Sequence, residues 1–177
     1  MWTAWLLIPF AAAAASLKPF DHSHALWGQV LDRHLRGGLV DYQALKQSPE
    51  TLNQYLDQLA AVPEARFMAF SEDQKVAFLA NLYNATTLKL IIDHYPLKSI
   101  KDIGNRLRGP WDQKIVRLMG RDFSLDDLEH GIIRRNHLDP KIHFALVCAA
   151  ISCPPLRAEP YVPERLQEQL IDQGKIF

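Results

Sequence analysis

Apolar positions recur at helical intervals along most of the chain, and proline or glycine marks the breaks between runs. From His24 to Arg36, the residues Ala25, Leu26, Val30, Leu31 and Leu35 share a helical spacing that Gly37-Gly38 ends. Leu39-Val40-Asp41-Tyr42 reads as short and extended. Ser48, Pro49 and Glu50 start another helix through Leu52, Tyr55, Leu56 and Leu59, which breaks at Pro63. Ser71-Glu-Asp-Gln74 has the form of a capping box and opens the strongest helical run, predicted to last to about His94 before Pro96. Ala77, Leu88, Ile91 and Ile92 share one arc of that helix, with Asn81 and Asn84 inside it. Most of its other positions are apolar too, so it should be central and largely buried. Two asparagines on such a surface must find hydrogen-bond partners or cost stability.

Lys114 to Ser124 predicts a short hairpin around Met119-Gly120-Arg121, and Ser124 caps a helix ending near Asn136. After Pro140, the run Lys141 to Cys153 is apolar and β-compatible at its start, and Pro154-Pro155 closes it. A last amphipathic helix starts at Pro163, with Leu166, Leu170 and Ile171 on its inner face. The mixture predicts an α+β domain, with helices packed around a small, mainly antiparallel sheet. A thiol-protease-like arrangement is one form this could take.

The amino terminus changes the picture. Residues 2–15 carry no charged side chain, and Trp5-Leu-Leu-Ile-Pro-Phe10 followed by alanines forms a compact apolar segment. Ala13 and Ala15 suit a signal peptidase, so residues 1–15 are expected to be a signal peptide, with one globular domain over 16–177. The segment is shorter than the ~20 apolar residues of a spanning helix. The expectation is therefore a periplasmic or secreted protein with no membrane span after signal cleavage. Twenty Lys and Arg balance twenty Asp and Glu, and no concentrated basic face appears, which argues against nucleic acid as a partner.

Two segments concentrate chemistry. On the helix from Leu125 to Arg135, Leu125, Leu128, Ile132 and Ile133 define an inner stripe; Glu129 sits inside it and His130 on its flank. A carboxylate there needs an ion pair, an arginine for instance, or it serves to orient a histidine. The second segment, Lys141 to Pro155, holds both cysteines of the protein, with His143 five residues before Cys148. Four readings stay open: a core segment with incidental polar residues, a Cys148–Cys153 disulfide suited to an exported protein, a zinc site using His143, Cys148, Cys153 and another histidine, and a thiol nucleophile at Cys148. The cysteine spacing does not match the familiar Cys-x-x-Cys pairs of zinc sites. In a strand His143 and Cys148 would lie ~17 Å apart, and in a helix about 140° apart. A base for Cys148 therefore has to come from a turn or from another segment, and His130 beside Glu129 is the outside candidate. His22, His24, His34, His94 and His137 read as solvated or capping residues.

Asn81-Leu-Tyr-Asn84, Ser124-Leu-x-x-Leu-Glu-His130 with Arg134, and His143-Phe-Ala-Leu-x-Cys148 with Ser152-Cys-Pro-Pro-Leu156 together resemble the domain-of-unknown-function family 547. Val40-Asp41-Tyr42 and Pro110-Trp111 also fit its pattern, so the resemblance covers about 38–156. It implies an exported bacterial member of a family with no general activity assigned. Plant-type members keep the first cysteine and often have serine at the second, which implies that Cys148 is the functional thiol and that an obligatory disulfide is disfavoured.

The function expected from these residues is a cysteine-dependent hydrolase or acyltransferase acting on amide or thioester substrates, similar in mechanism to papain-like or transglutaminase-like enzymes. Cys148 would attack a carbonyl, His130 would accept and return the proton, Glu129 or Asn84 would fix the imidazole, and His143 would be the alternative base. Asn81, Arg134 and Cys153 are binding candidates. The alternatives are a non-catalytic binding or structural module, in which Asn81, Asn84, Glu129 and His130 form a buried polar network, and a metal-binding protein. No cofactor is called for, and the partner is an unspecified substrate or peptide.

Overall fold

The computed structural model describes residues 19–105, 108–137, 139–149 and 153–177. The expected signal peptide lies outside them, as does Ser152.

Helix α1 (Ala25–His34) is followed by a hairpin of β1 (Leu35–Arg36) and β2 (Leu39–Val40), then α2 (Tyr42–Gln47), α3 (Glu50–Ala60) and α4 (Glu64–Met68). Helix α5 (Glu72–His94) is the centre of the molecule. Its start is the capping box read from the sequence: Gln74 N–H donates to Ser71 Oγ (3.2 Å), and Ser71 N–H donates to Gln74 Oε1 (2.9 Å). Between Val76 and Ile92 only Lys89 escapes burial, because α2, α3, β3 and the segment carrying Glu129 all pack on α5. A helix apolar nearly all round has to be surrounded in this way.

A second hairpin pairs β3 (Val116–Leu118) with β4 (Arg121–Phe123) in the register Val116 to Phe123 and Leu118 to Arg121. The turn between them is the predicted one, with Met119 and Gly120 both at positive φ. The chain is thus α+β, but with a correction to the expected arrangement. Among the described residues the strands form two separate two-stranded hairpins, and the core is organised by α5 instead of by a sheet. The layout of the described residues does not support a thiol-protease-like arrangement.

Beyond Ser124 the chain runs as a π-helical segment (Asp127–Ile133) into α6 (Arg134–Asn136). Ser124 caps this run as expected: Asp127 N–H donates to Ser124 Oγ (3.0 Å), and Ser124 N–H donates to Asp127 Oδ2 (2.7 Å). The β-compatible start expected after Pro140 is instead a short helix, α7 (Ile142–Ala145). Asp139 accepts from Lys141 N–H at 3.0 Å ahead of it, and Pro140 favours a helical first turn, so local capping overrides the β preference of Ile142 and Phe144. A 3₁₀ turn (Pro163–Arg165) leads into α8 (Leu166–Ile176), which closes the fold against α7. Among the described residues, no helix is long and apolar enough to cross a membrane.

Candidate functional site

The two asparagines of α5 act as backbone clamps. Asn81, wholly buried, donates from Nδ2 to Tyr161 O (2.7 Å) and accepts from Tyr161 N–H at Oδ1 (3.0 Å). Asn84, equally buried, donates to Ala145 O (2.9 Å) and accepts from Val147 N–H (3.0 Å). Each amide thus satisfies one donor and one acceptor of an irregular segment that has no strand beside it. Gln169 does the same at Pro160 O and Val162 N–H. Asn84 therefore serves as a positioning residue for the chain between His143 and Cys148 and does not reach a catalytic imidazole.

Tyr83, between the two clamps, points its hydroxyl to Glu129 and donates to Oε2 at 3.1 Å. Glu129 Oε1 receives Arg134 Nη2 at 3.0 Å, and the same nitrogen lies 2.6 Å from His143 Nδ1 and 3.3 Å from its Nε2. His143 Nδ1 stands 3.6 Å from Glu129 Oε1. A guanidinium only donates, so the His143 ring stands as its acceptor at this contact. Burial, reinforced by the adjacent Glu129 carboxylate, pushes the Tyr83 phenol well above its ordinary range, which keeps it a donor to Glu129. The Glu129 side chain is 15% exposed, against 45% for Arg134 and 60% for His143. The cluster is a carboxylate held from below with a guanidinium and an imidazole facing solvent.

The π turn is what assembles it. Residues five apart on an α-helix diverge by about 140°. Here Arg134 N–H bonds back to Glu129 O, the i to i+5 pattern, which stacks the two side chains on one side. Of the two uses the sequence leaves open for Glu129, an ion pair with an arginine or the orientation of a histidine, the structure shows the ion pair, with Arg134. Nothing in the local sequence pattern links Tyr83 to a carboxylate 46 residues on.

The expected nucleophile is not free. Cys148 is bonded to Cys153, with Cα atoms 6.0 Å apart, and Ala149 at φ 55° turns the chain just after the first cysteine. A disulfide sulfur carries no thiolate, so in this state Cys148 attacks nothing, and Cys153 is its partner instead of a binding group. His130 is exposed and faces Asp126, 3.6 Å from Nε2 to Oδ1, while His143 is taken up by Arg134 and Glu129. Glu129 therefore braces Arg134 and not His130. Among the described residues, no three His, Cys, Asp or Glu side chains gather as a metal site.

Of the histidines read as solvated or capping, two are buried, and His24 stands at the start of α1. His24 is 1% exposed, with Nδ1 2.7 Å from Tyr55 Oη, and His34 is 5% exposed. The ring of His137 is largely covered as well, with Nδ1 3.3 Å from Glu72 Oε2.

These motifs also decide the relationship. Residues 67–177, well over half the chain, match the family described as protein of unknown function, DUF547. The chain belongs to the DUF547 family. The match takes in α5, both asparagine clamps, the Glu129–Arg134–His143 cluster and the disulfide, and it runs through α8 to the last residue. Val40-Asp41-Tyr42 falls outside it. No curated protein and no solved structure matches the chain significantly.

Proposed function

We propose that this DUF547 protein is an exported, disulfide-stapled binding module that receives an oxyanion of its ligand at Arg134 and His143. The observation that carries the reading is the fixed guanidinium. Arg134 is anchored through Nη2 by a carboxylate that is itself held by Tyr83, which leaves Nε and Nη1 free of any partner among the described residues. A pre-oriented guanidinium edge suits carboxylate or phosphate, and less side-chain entropy is lost on binding than for a mobile arginine. His143 adds its imidazole beside it. The disulfide supports an oxidising compartment, in keeping with the expected leader. A thiol-enzyme mechanism requires a different, reduced chain, with Cys148 released from Cys153 and a histidine brought to it.

Titration of the ¹⁵N-labelled protein with sodium acetate and with inorganic phosphate, at constant ionic strength, tests the reading. Saturable amide shifts are expected around Arg134 and His143 with at least one of the two anions. Arg134→Ala should abolish them, whereas Arg117→Gln should not. Absence of saturable shifts with both anions, or identical shifts in Arg134→Ala, contradicts the site.

A further inference from the structure

Helix α3, the carboxyl-terminal half of α5 and the β3–β4 hairpin enclose a cleft of about 880 Å³ that includes none of Asn84, Glu129, Arg134 or His143. The size is that of a small-ligand site. Its floor is apolar: Leu82 and Leu90 are 1% and 2% exposed, and Ile115 packs against the same core. Thr86 stands in this floor, 3% exposed, and lines the cleft. The neighbouring Thr87 hydroxyl donates back to Tyr83 O within the helix, at 2.9 Å.

The walls carry charge, and most of the cations are already neutralised. Lys89 pairs with Asp93 and Lys114 with Asp127, while Arg121 reaches Glu64 at 3.5 Å and lies over the Phe123 ring. Arg117 on β3 and Asp57 on α3 have no ion pair among the described residues, although both line the cleft. Asp122 lies across from Arg117 in the hairpin register, yet the two do not come to ion-pair distance. Arg117, Asp57 and Asp122, none with an ion pair among the described residues, thus line one cleft above an apolar floor that includes Thr86.

We infer that this cleft binds a short peptide with free termini and an apolar side chain. The terminal carboxylate would be taken by Arg117, the terminal ammonium by Asp57 with Asp122 near it, the side chain by Leu82, Leu90 and Ile115, and a peptide group by the Thr86 hydroxyl. A simple anion or an uncharged ligand leaves one of the two signs unused. The ligand class follows from both being present.

Calorimetric titration of the full chain with the tripeptide Ala-Leu-Ala, its N-acetylated form and its C-terminal amide tests the inference. The free tripeptide should bind, and capping either end should weaken binding about tenfold or more, as expected for loss of a charge-assisted hydrogen bond. Arg117→Gln should remove the penalty of amidation, Asp57→Asn that of acetylation, and Thr86→Val should weaken all three peptides. Repeating the three titrations in the Arg134→Ala chain separates this cleft from the oxyanion site: both capping penalties should persist there, and their disappearance with Arg134 overturns the assignment to this cleft. No heat of binding, equal affinities for the three peptides, or an amidation penalty that survives Arg117→Gln overturns the assignment.

Discussion

Replacing Asn84 by alanine is expected to lower the free energy of unfolding by about 2–4 kcal/mol. The substitution strands the Ala145 carbonyl and the Val147 amide in a buried setting, and each unsatisfied group costs about 1–3 kcal/mol. The better helix propensity of alanine returns only about 0.5 kcal/mol. The loss should be visible in urea denaturation at pH 7.5 as a lower midpoint with an unchanged slope. His143 lies two residues before Ala145, so the same variant should broaden or shift the His143 ring signals in the folded protein. A loss below about 1 kcal/mol with unmoved His143 signals would mean that the clamp does not position the site.

Mild acid is the second large effect. His24 is buried against Tyr55, Phe20 and Phe78, and desolvation lowers its pKa from 6.5 to about 4, with His22 adding to the shift and Asp21 opposing it. At neutral pH the ring is uncharged in both the folded and the unfolded chain, so it contributes no penalty. Below about pH 6.5 the unfolded chain takes up the proton and the folded chain does not, so stability falls as pH falls. The loss levels off near pH 4, where the folded ring also protonates, after a total on the order of 3 kcal/mol. Burial lowers the pKa of His22, His34 and His137 too, and these act in the same direction. His24→Asn is the informative variant, because asparagine tolerates the left-handed backbone at this position (φ 52°) and does not titrate. Urea denaturation between pH 7.5 and 4.5 should show a shallower decline for His24→Asn than for the wild type. Parallel profiles would remove His24 as the cause.

What could be read from residues alone follows the range of the physics. Helix α5 was legible because its start is a local capping motif, its end a proline, and its burial a matter of composition. The β3–β4 hairpin was legible through Met119-Gly120, and the family motifs were legible as words. The assembly of the site was not. A helical wheel assumes a constant turn, and the π segment breaks that assumption just where Glu129 has to meet Arg134. Likewise, α7 is set by Asp139 and Pro140 and not by the β preference of the residues inside it. Buried His24 carries no sequence mark that separates it from exposed His130, since its cover comes from α3 and α5. The cysteine spacing permitted a disulfide without requiring one. The turn at Ala149 that lets the chain come round to Cys153 becomes visible only in three dimensions.

The account rests on Cys148 being one end of a staple, with the working surface built around Arg134. The most direct measurement is alkylation of the folded, unreduced protein with iodoacetamide, read by intact mass and peptide mapping. No adduct is expected before reduction, and one on each of Cys148 and Cys153 after reduction in denaturant. A single adduct on Cys148 in the native, unreduced protein would contradict the account and return the thiol to the centre of the function.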